Sequence, residues 1–337
     1  MAPKPAGRRE DPASRPLVTP AAGGVGSEPP PAGVRPEEFI EKWARGNPRM
    51  APHLLLVGRT GSGKTSAARW VIDHICIRKR LARFIILDWD EEYAGFLPAA
   101  VYSPPFELPA PAKPPRPYDP SPQPSLPPQL ADALAEVERS EEGGHMVAAV
   151  LRSILTTEQD LARAAQRLRM EAQHASSWLK GIFEAAAARA EIVGKYTLLN
   201  GAAELSEPEG VFLLSEIPSI WERAALQQFL SMYFMFIKND SVPTLLVIEE
   251  GGMGARTTFL RHLLAHARRR GVRVIFITQG PLPPPELRQS FEVLLFDSDP
   301  AIRYELRAAV PDRPLAVGEC WWIRRGERPL PFRFKPR

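Results

Sequence analysis

Gly58-Arg59-Thr60-Gly61-Ser62-Gly63-Lys64-Thr65 has the residue types and the spacing of a loop that holds phosphate. Its glycines let the chain curl until several backbone N–H groups converge on one anion, and the start of a helix adds the positive end of a dipole. Lys64 then reaches the β- and γ-phosphates, and the Thr65 hydroxyl is placed to ligate Mg²⁺. With Ser66, which follows directly, these residues are the candidates for binding ATP. The motif needs a strand before it and a helix after it. His53–Val57 predicts a buried parallel strand, and Ser66 to Ile77 spaces apolar residues as a helix does.

A second stretch carries acids. Leu245-Leu246-Val247-Ile248-Glu249-Glu250 is an apolar run ending in two carboxylates. In this pattern one acid serves Mg²⁺ and the other orients the attacking water, so Glu249 is assigned to the metal and Glu250 to water activation. Gln279 closes the next strand, where an amide side chain touches both the γ-phosphate and the water and senses hydrolysis. His262 and His266 lie four apart on a predicted helix, with no carboxylate near them in sequence, and read as packed or exposed histidines.

The elements that position these residues alternate. Strands are predicted at Arg83–Asp88, Val211–Glu216, Thr244–Ile248, Val272–Thr278, Glu292–Phe296 and Glu319–Ile323, with helices at Ile220–Ile237 and Thr257–Arg270. Such alternation implies an α/β fold with a mainly parallel, helix-covered sheet. Residues 1–36 form a Pro-rich arm expected to be disordered until bound, with a possible protein partner, and 37–102 are the first part of the core. Residues 103–128 read as a Pro-rich linker, 129–205 as an insertion of about three helices, and 206–337 as the second part of the core. Phe39, Ile40 and Trp43 mark a short amphipathic helix, and Trp321 and Trp322 read as packing residues.

The chain has 337 residues, 44% of them hydrophobic, and a formal net charge of +4, which permits a polyanionic partner without demanding one. Its two cysteines, Cys76 and Cys320, lack metal-ligand spacing, and no stretch reaches the roughly 20 apolar residues that span a bilayer. A cytoplasmic or virus-associated setting without a membrane span is expected.

Taken together, the phosphate loop, Leu87-Asp88-Trp89-Asp90-Glu91-Glu92-Tyr93, Glu249-Glu250 and Thr278-Gln279 after Arg268-Arg269-Arg270 resemble the HerA/FtsK superfamily of P-loop ATPases. HerA-like proteins carry a similar Asp-x-x-x-Glu-Tyr after their second strand. The likeness covers about Ala51 to Gly95 and Gly210 to Phe334. It implies a RecA-like motor, a homo-oligomer that is usually a hexameric ring, acting on double-stranded DNA in translocation, genome packaging or end processing. Relatives in conjugation and type IV secretion supply the alternative. The resemblance also implies a site between subunits completed by a neighbour's arginine, Arg268 first and Arg303 second. The β-barrel that usually opens HerA proteins has no counterpart in the Pro-rich arm.

Overall fold

The computed structural model describes residues 35–46, 53–109, 128–139, 144–158, 160–200, 209–238, 242–249, 257–280, 282–296, 299–306, 310, 314–324 and 328–334. Glu250, nearly all of the N-terminal arm and most of the Pro-rich stretch lie outside them.

Among the described residues nine strands form one sheet, in the order β11-β10-β9-β1-β8-β7-β2-β6-β3. They are β1 (His53–Val57), β2 (Arg83–Asp88), β3 (Val101–Tyr102), β6 (Gly210–Leu213), β7 (Thr244–Ile248), β8 (Val272–Thr278), β9 (Phe291–Leu295), β10 (Glu319–Ile323) and β11 (Leu330–Arg333). From β9 to β3 every neighbouring pair is parallel, and β10 alone runs the other way, pairing antiparallel with β9 and with β11. The helices are α1 (Pro36–Arg45), α2 (Lys64–Ile72), α3 (Pro128–Arg139), α4 (His145–Leu155), α5 (Leu161–His174), α6 (Ser177–Tyr196), α7 (Ile220–Ile237), α8 (Thr257–Arg270), α9 (Pro285–Arg288) and α10 (Pro300–Leu306).

The central strands are apolar almost without interruption because both sheet faces are covered, which is the pattern of buried parallel strands. Alternate residues serve two cores. Leu54, Leu56, Phe84, Ile86, Leu245, Val247, Ile275 and Ile277 pack with α1 and α2 on one face. Leu55, Val57, Ile85, Leu87, Leu246, Ile248, Val274 and Phe276 share the other core with α3 to α8.

Several local expectations are corrected. The helix after the phosphate loop turns into a π-helical segment at Asp73–Arg78, beyond the regular spacing that predicted one helix to Ile77. The strand from Val211 ends at Leu213, because the chain turns there and Ile217 N–H bonds the Leu214 carbonyl at 3.0 Å. Four helices rather than three lie between Pro128 and Tyr196. The Pro-rich stretch begins with a strand, β4 (Phe106–Pro109), paired in parallel with β5 (Thr197–Asn200). Burial of Phe106 and Leu108 outweighs the linker-like composition there, and the Tyr233 hydroxyl donates to the Pro109 carbonyl. His262 and His266 on α8 do have a carboxylate: Glu136 of α3 pairs with both, and their hydrogen bonds hold its carboxyl down to about 2.

At the amino edge of the sheet, Arg273 of β8 is buried and donates to the carbonyls of Ala44 and Gly46, with Trp43 stacked 5.0 Å from its guanidinium. Burial pulls it down to about 10, so it stays charged at neutral pH and pins α1 to the sheet. Phe39 of α1 meets Trp322 with ring centres 3.7 Å apart, and Trp321 and Trp322 are buried. Among the described residues no helix is long and apolar enough to cross a membrane.

His53 begins β1 fully buried, and its Nδ1 accepts the Val274 N–H at 3.0 Å. Burial first, then the charges of Arg268 and Arg273, push it down to about 3. A folded value below the ordinary one means the stabilisation is complete above about pH 6.5 and is lost as pH falls from there toward 3. Denaturant unfolding at pH 7.5 and 5.5 checks this. Wild type is expected to lose about 1.4 kcal/mol more over that interval than His53→Gln, whose side chain does not titrate.

Candidate functional site

In an open parallel sheet, loops at the carboxyl ends of the strands share one edge. Here β1, β8, β7 and β2 are consecutive neighbours, so the residues that follow them meet. The phosphate loop follows β1 and runs into α2, whose first residue is Lys64. Gly63 sits at φ 101°, and a Cβ there would lie 2.8 Å from the Gly318 nitrogen. Gly318 in turn donates to the Ser62 carbonyl at 3.2 Å and accepts from Phe334 N–H at 2.9 Å. The turn before β10 thus braces the loop from below. Lys64 is buried and its ammonium donates to the carbonyls of Gly58 and Arg59 at 2.7 and 2.8 Å.

Acids close the opposite wall. Glu249, directly after β7, is buried, and the Thr65 hydroxyl lies 3.4 Å from its Oε1. Burial above all, then the nearby Asp88 and Glu92 carboxylates, push its carboxyl up to about 8. The Gln227 amide of α7 donates to the Glu249 carbonyl at 2.8 Å. Asp88 ends β2 fully buried and accepts the N–H groups of Glu92 and Tyr93 at 3.0 and 2.9 Å. Burial raises its carboxyl against those bonds, which lower it. Gln279 follows β8, and its Oε1 accepts the Thr60 hydroxyl at 2.7 Å.

These groups line a cavity of about 300 Å³, with Thr60, Lys64, Thr65 and Ser66 on one side, Asp90, Glu92 and Glu249 on the other, and Gln279 between them. Thr65 and Glu249 offer hard oxygen donors side by side, a set that fits Mg²⁺. Arg69 and Val317 also line the cavity and were not singled out in sequence. Arg69 was findable, since it lies four residues after Thr65 and so on the same helix face. Gln227 was findable as a polar residue within the apolar Ile220–Ile237 run. Arg268 is not brought to this cavity. It is exposed near the end of α8, where its charge acts on His53 at the amino edge. Arg303 lies on α10, partly exposed. Gly58, Arg59, Gly61 and Ser62 take their places in the loop.

Comparison with known proteins places this geometry. Residues 47–198 match the family model described as Helicase HerA, central domain. VirB4 of Thermoanaerobacter pseudethanolicus is similar over 87% of this chain and 92% of its own, at 15% identity and a TM-score of 0.52. The bacterial conjugative coupling protein TrwB is similar over 86% of each chain, at 13% identity and a TM-score of 0.58. TrwB is also known in complex with the ATP analogue ADPNP and with ADP and Mg²⁺. These likenesses concern the fold. No curated protein sequence matches significantly.

The contact between Gly63 and Gly318 leaves no room for a side chain on the loop. Gly63→Ala is expected to lower stability by about 1–3 kcal/mol through its left-handed backbone alone. Thermal denaturation beside Gly61→Ala, which shares the positive φ but meets nothing within 4 Å, isolates the added cost of the clash.

Proposed function

We propose that this chain is a P-loop ATPase of the HerA/FtsK superfamily, and that its cavity binds Mg-ATP and hydrolyses it to drive movement of double-stranded DNA. One observation supports the reading most: the phosphate loop, a buried acid and a polar amide converge on one cavity at the carboxyl edge of the sheet. The loop N–H groups take the β- and γ-phosphates, and Lys64 exchanges its two carbonyl partners for phosphate oxygens. Thr65 and Glu249 would hold Mg²⁺, which would supply neutralisation of the phosphate charge. Glu250 is assigned to the water from sequence. It accepts a proton as the water oxygen bonds to the γ-phosphorus and the bond to the bridging oxygen breaks, the electron pair leaving with ADP. Gln279 reports the γ-phosphate to the rest of the chain.

In this reading the chain acts as a ring, with a hexamer the expected form, and Arg268 or Arg303 of one protomer reaches the nucleotide of the next. The location of Arg268 away from its own cavity accords with action on a neighbour. Basic side chains grip DNA phosphates without reading sequence, and the N-terminal arm recruits a protein partner. Genome packaging and end processing are the tasks proposed, in a cytoplasmic or virus-associated setting. The fold shared with TrwB and VirB4 supports a second reading, a conjugation or secretion ATPase working with a membrane complex.

Steady-state ATP hydrolysis with and without linear double-stranded DNA separates the two. A DNA motor is stimulated several-fold, whereas a partner-gated secretion ATPase ignores DNA. Lys64→Ala and Glu250→Gln are each expected to lower turnover by about 100-fold or more, with nucleotide binding retained only in Glu250→Gln. Raising salt from about 50 to about 200 mM is expected to weaken DNA binding by about 10³-fold if six phosphates are contacted, with little dependence on DNA sequence.

A further inference from the structure

We propose that Arg69 of α2 is a further nucleotide-contacting residue, its guanidinium seated on the Phe96 ring so that its N–H edge donates to phosphate oxygens of a nucleotide in the cavity. The inference rests on the nucleotide-site reading above and gives a task to a lining residue that the hydrolysis scheme leaves unused.

Arg69 is half-buried and lines the same cavity as Lys64, Thr65 and Ser66. Its Nε is shut off from solvent and has no hydrogen-bond partner among the described residues. Asp90, Glu92 and Glu249 line the cavity too, yet among the described residues no carboxylate forms an ion pair with Arg69. The guanidinium is therefore not placed to answer the acids one to one. A guanidinium carries five donors and no acceptor, and leaving a shielded donor unmet is destabilising. Phosphate oxygens meet such donors well, because their spacing matches the fork that Nε and one Nη form.

The contacts that Arg69 does make hold it by its face. Its Cζ lies 3.8 Å from the centre of the Phe96 ring and 5.6 Å from that of the Tyr93 ring. Stacking of this kind uses the flat face of the guanidinium and spares the donors at its edge. Phe96 is 68% exposed, so it fills no core, and the guanidinium is what it touches. The turn after β2 fixes both rings. Asp88 gathers the N–H groups of Glu92 and Tyr93 onto its carboxylate, and Phe96 N–H bonds the Tyr93 carbonyl at 3.2 Å. From the other side, helical side chains lean toward the N-terminus of their helix, and Arg69 follows Thr65 by four residues on one face. Its long side chain thus runs back toward the end of α2 where Lys64 and the phosphate loop meet.

The test is equilibrium binding of ADPNP with Mg²⁺ to the full chain and to Arg69→Gln, Arg69→Lys, Phe96→Leu and Lys64→Ala, with melting temperatures read with and without ADPNP. Arg69→Gln is expected to weaken binding about 10- to 100-fold, the worth of hydrogen bonds to a charged group. Arg69→Lys weakens it about tenfold, because an ammonium lacks the fork, and Phe96→Leu about two- to fivefold, because only the seat is lost. The melting temperature of Arg69→Gln without nucleotide stays near the wild-type value, since the side chain makes no hydrogen bond within the described chain, while the rise on adding ADPNP shrinks. Wild-type affinity in Arg69→Gln overturns the proposal. So does a lower nucleotide-free melting temperature at unchanged affinity, which marks a packing role. Full affinity in Phe96→Leu overturns the seat assigned to the ring. If Lys64→Ala loses ADPNP while Arg69→Gln keeps it, the cavity reading stands and the Arg69 assignment alone falls. If wild type binds no ADPNP, both fall.

Discussion

Four carboxyl groups gathered at one sheet edge, two of them, Asp88 and Glu249, almost out of water, set the terms for the rest of this molecule. Glu249 is pushed up to about 8 by burial and by the acids of the Asp88–Glu92 turn. Such a cluster is costly unless something positive answers it. The phosphate loop supplies part of the answer by facing a lysine and a helix start across the same cavity. A divalent cation carrying a triphosphate supplies the rest: it satisfies the acids on one side and is matched by Lys64 and the loop N–H groups on the other. Neither wall is suited to bind alone.

The sheet order makes that pairing possible. β8 lies between β1 and β7, so the loop and Glu249 stand two strands apart, with Gln279 filling the gap and bonded to Thr60 of the loop. β2, on the far side of β7, brings the acidic turn beside Glu249. Helices on both faces keep the strands rigid, and the Gly318 turn presses up under Gly63 so that the loop keeps its curvature. Removing water from both faces of the sheet is what leaves the buried Glu249 carboxyl to be oriented by neighbouring groups such as the Thr65 hydroxyl rather than by solvent.

Much of this was legible in the residues. The strand and helix patterns around Gly58–Thr65, Glu249 and Gln279 carried the α/β class, and the family match and shared fold agree with it. Periodicity located β1, β2, β7, β8 and α8 to the residue. What escaped depended on contacts between distant segments. Phe106 and Leu108 form a strand only because Thr197–Asn200 arrives to pair with them, and prolines on either side hid that. Glu136 reaches His262 and His266 across 126 residues for the nearer histidine, a pairing no local spacing announces. Asp88 was visible in the motif, but its place beside Glu249 arises only when β2 and β7 lie side by side. The insertion helices share a core with the sheet, which a reading of segments one at a time does not show.

The most direct test of the account is an experimental structure of the chain with ADPNP and Mg²⁺. The account predicts the triphosphate on the N–H groups of Gly58 to Thr65, Lys64 released from the Gly58 and Arg59 carbonyls onto phosphate, and the metal between Thr65 and the Glu249 side. Nucleotide bound elsewhere, or in the loop with Lys64 still on those carbonyls and no metal near Glu249, contradicts it.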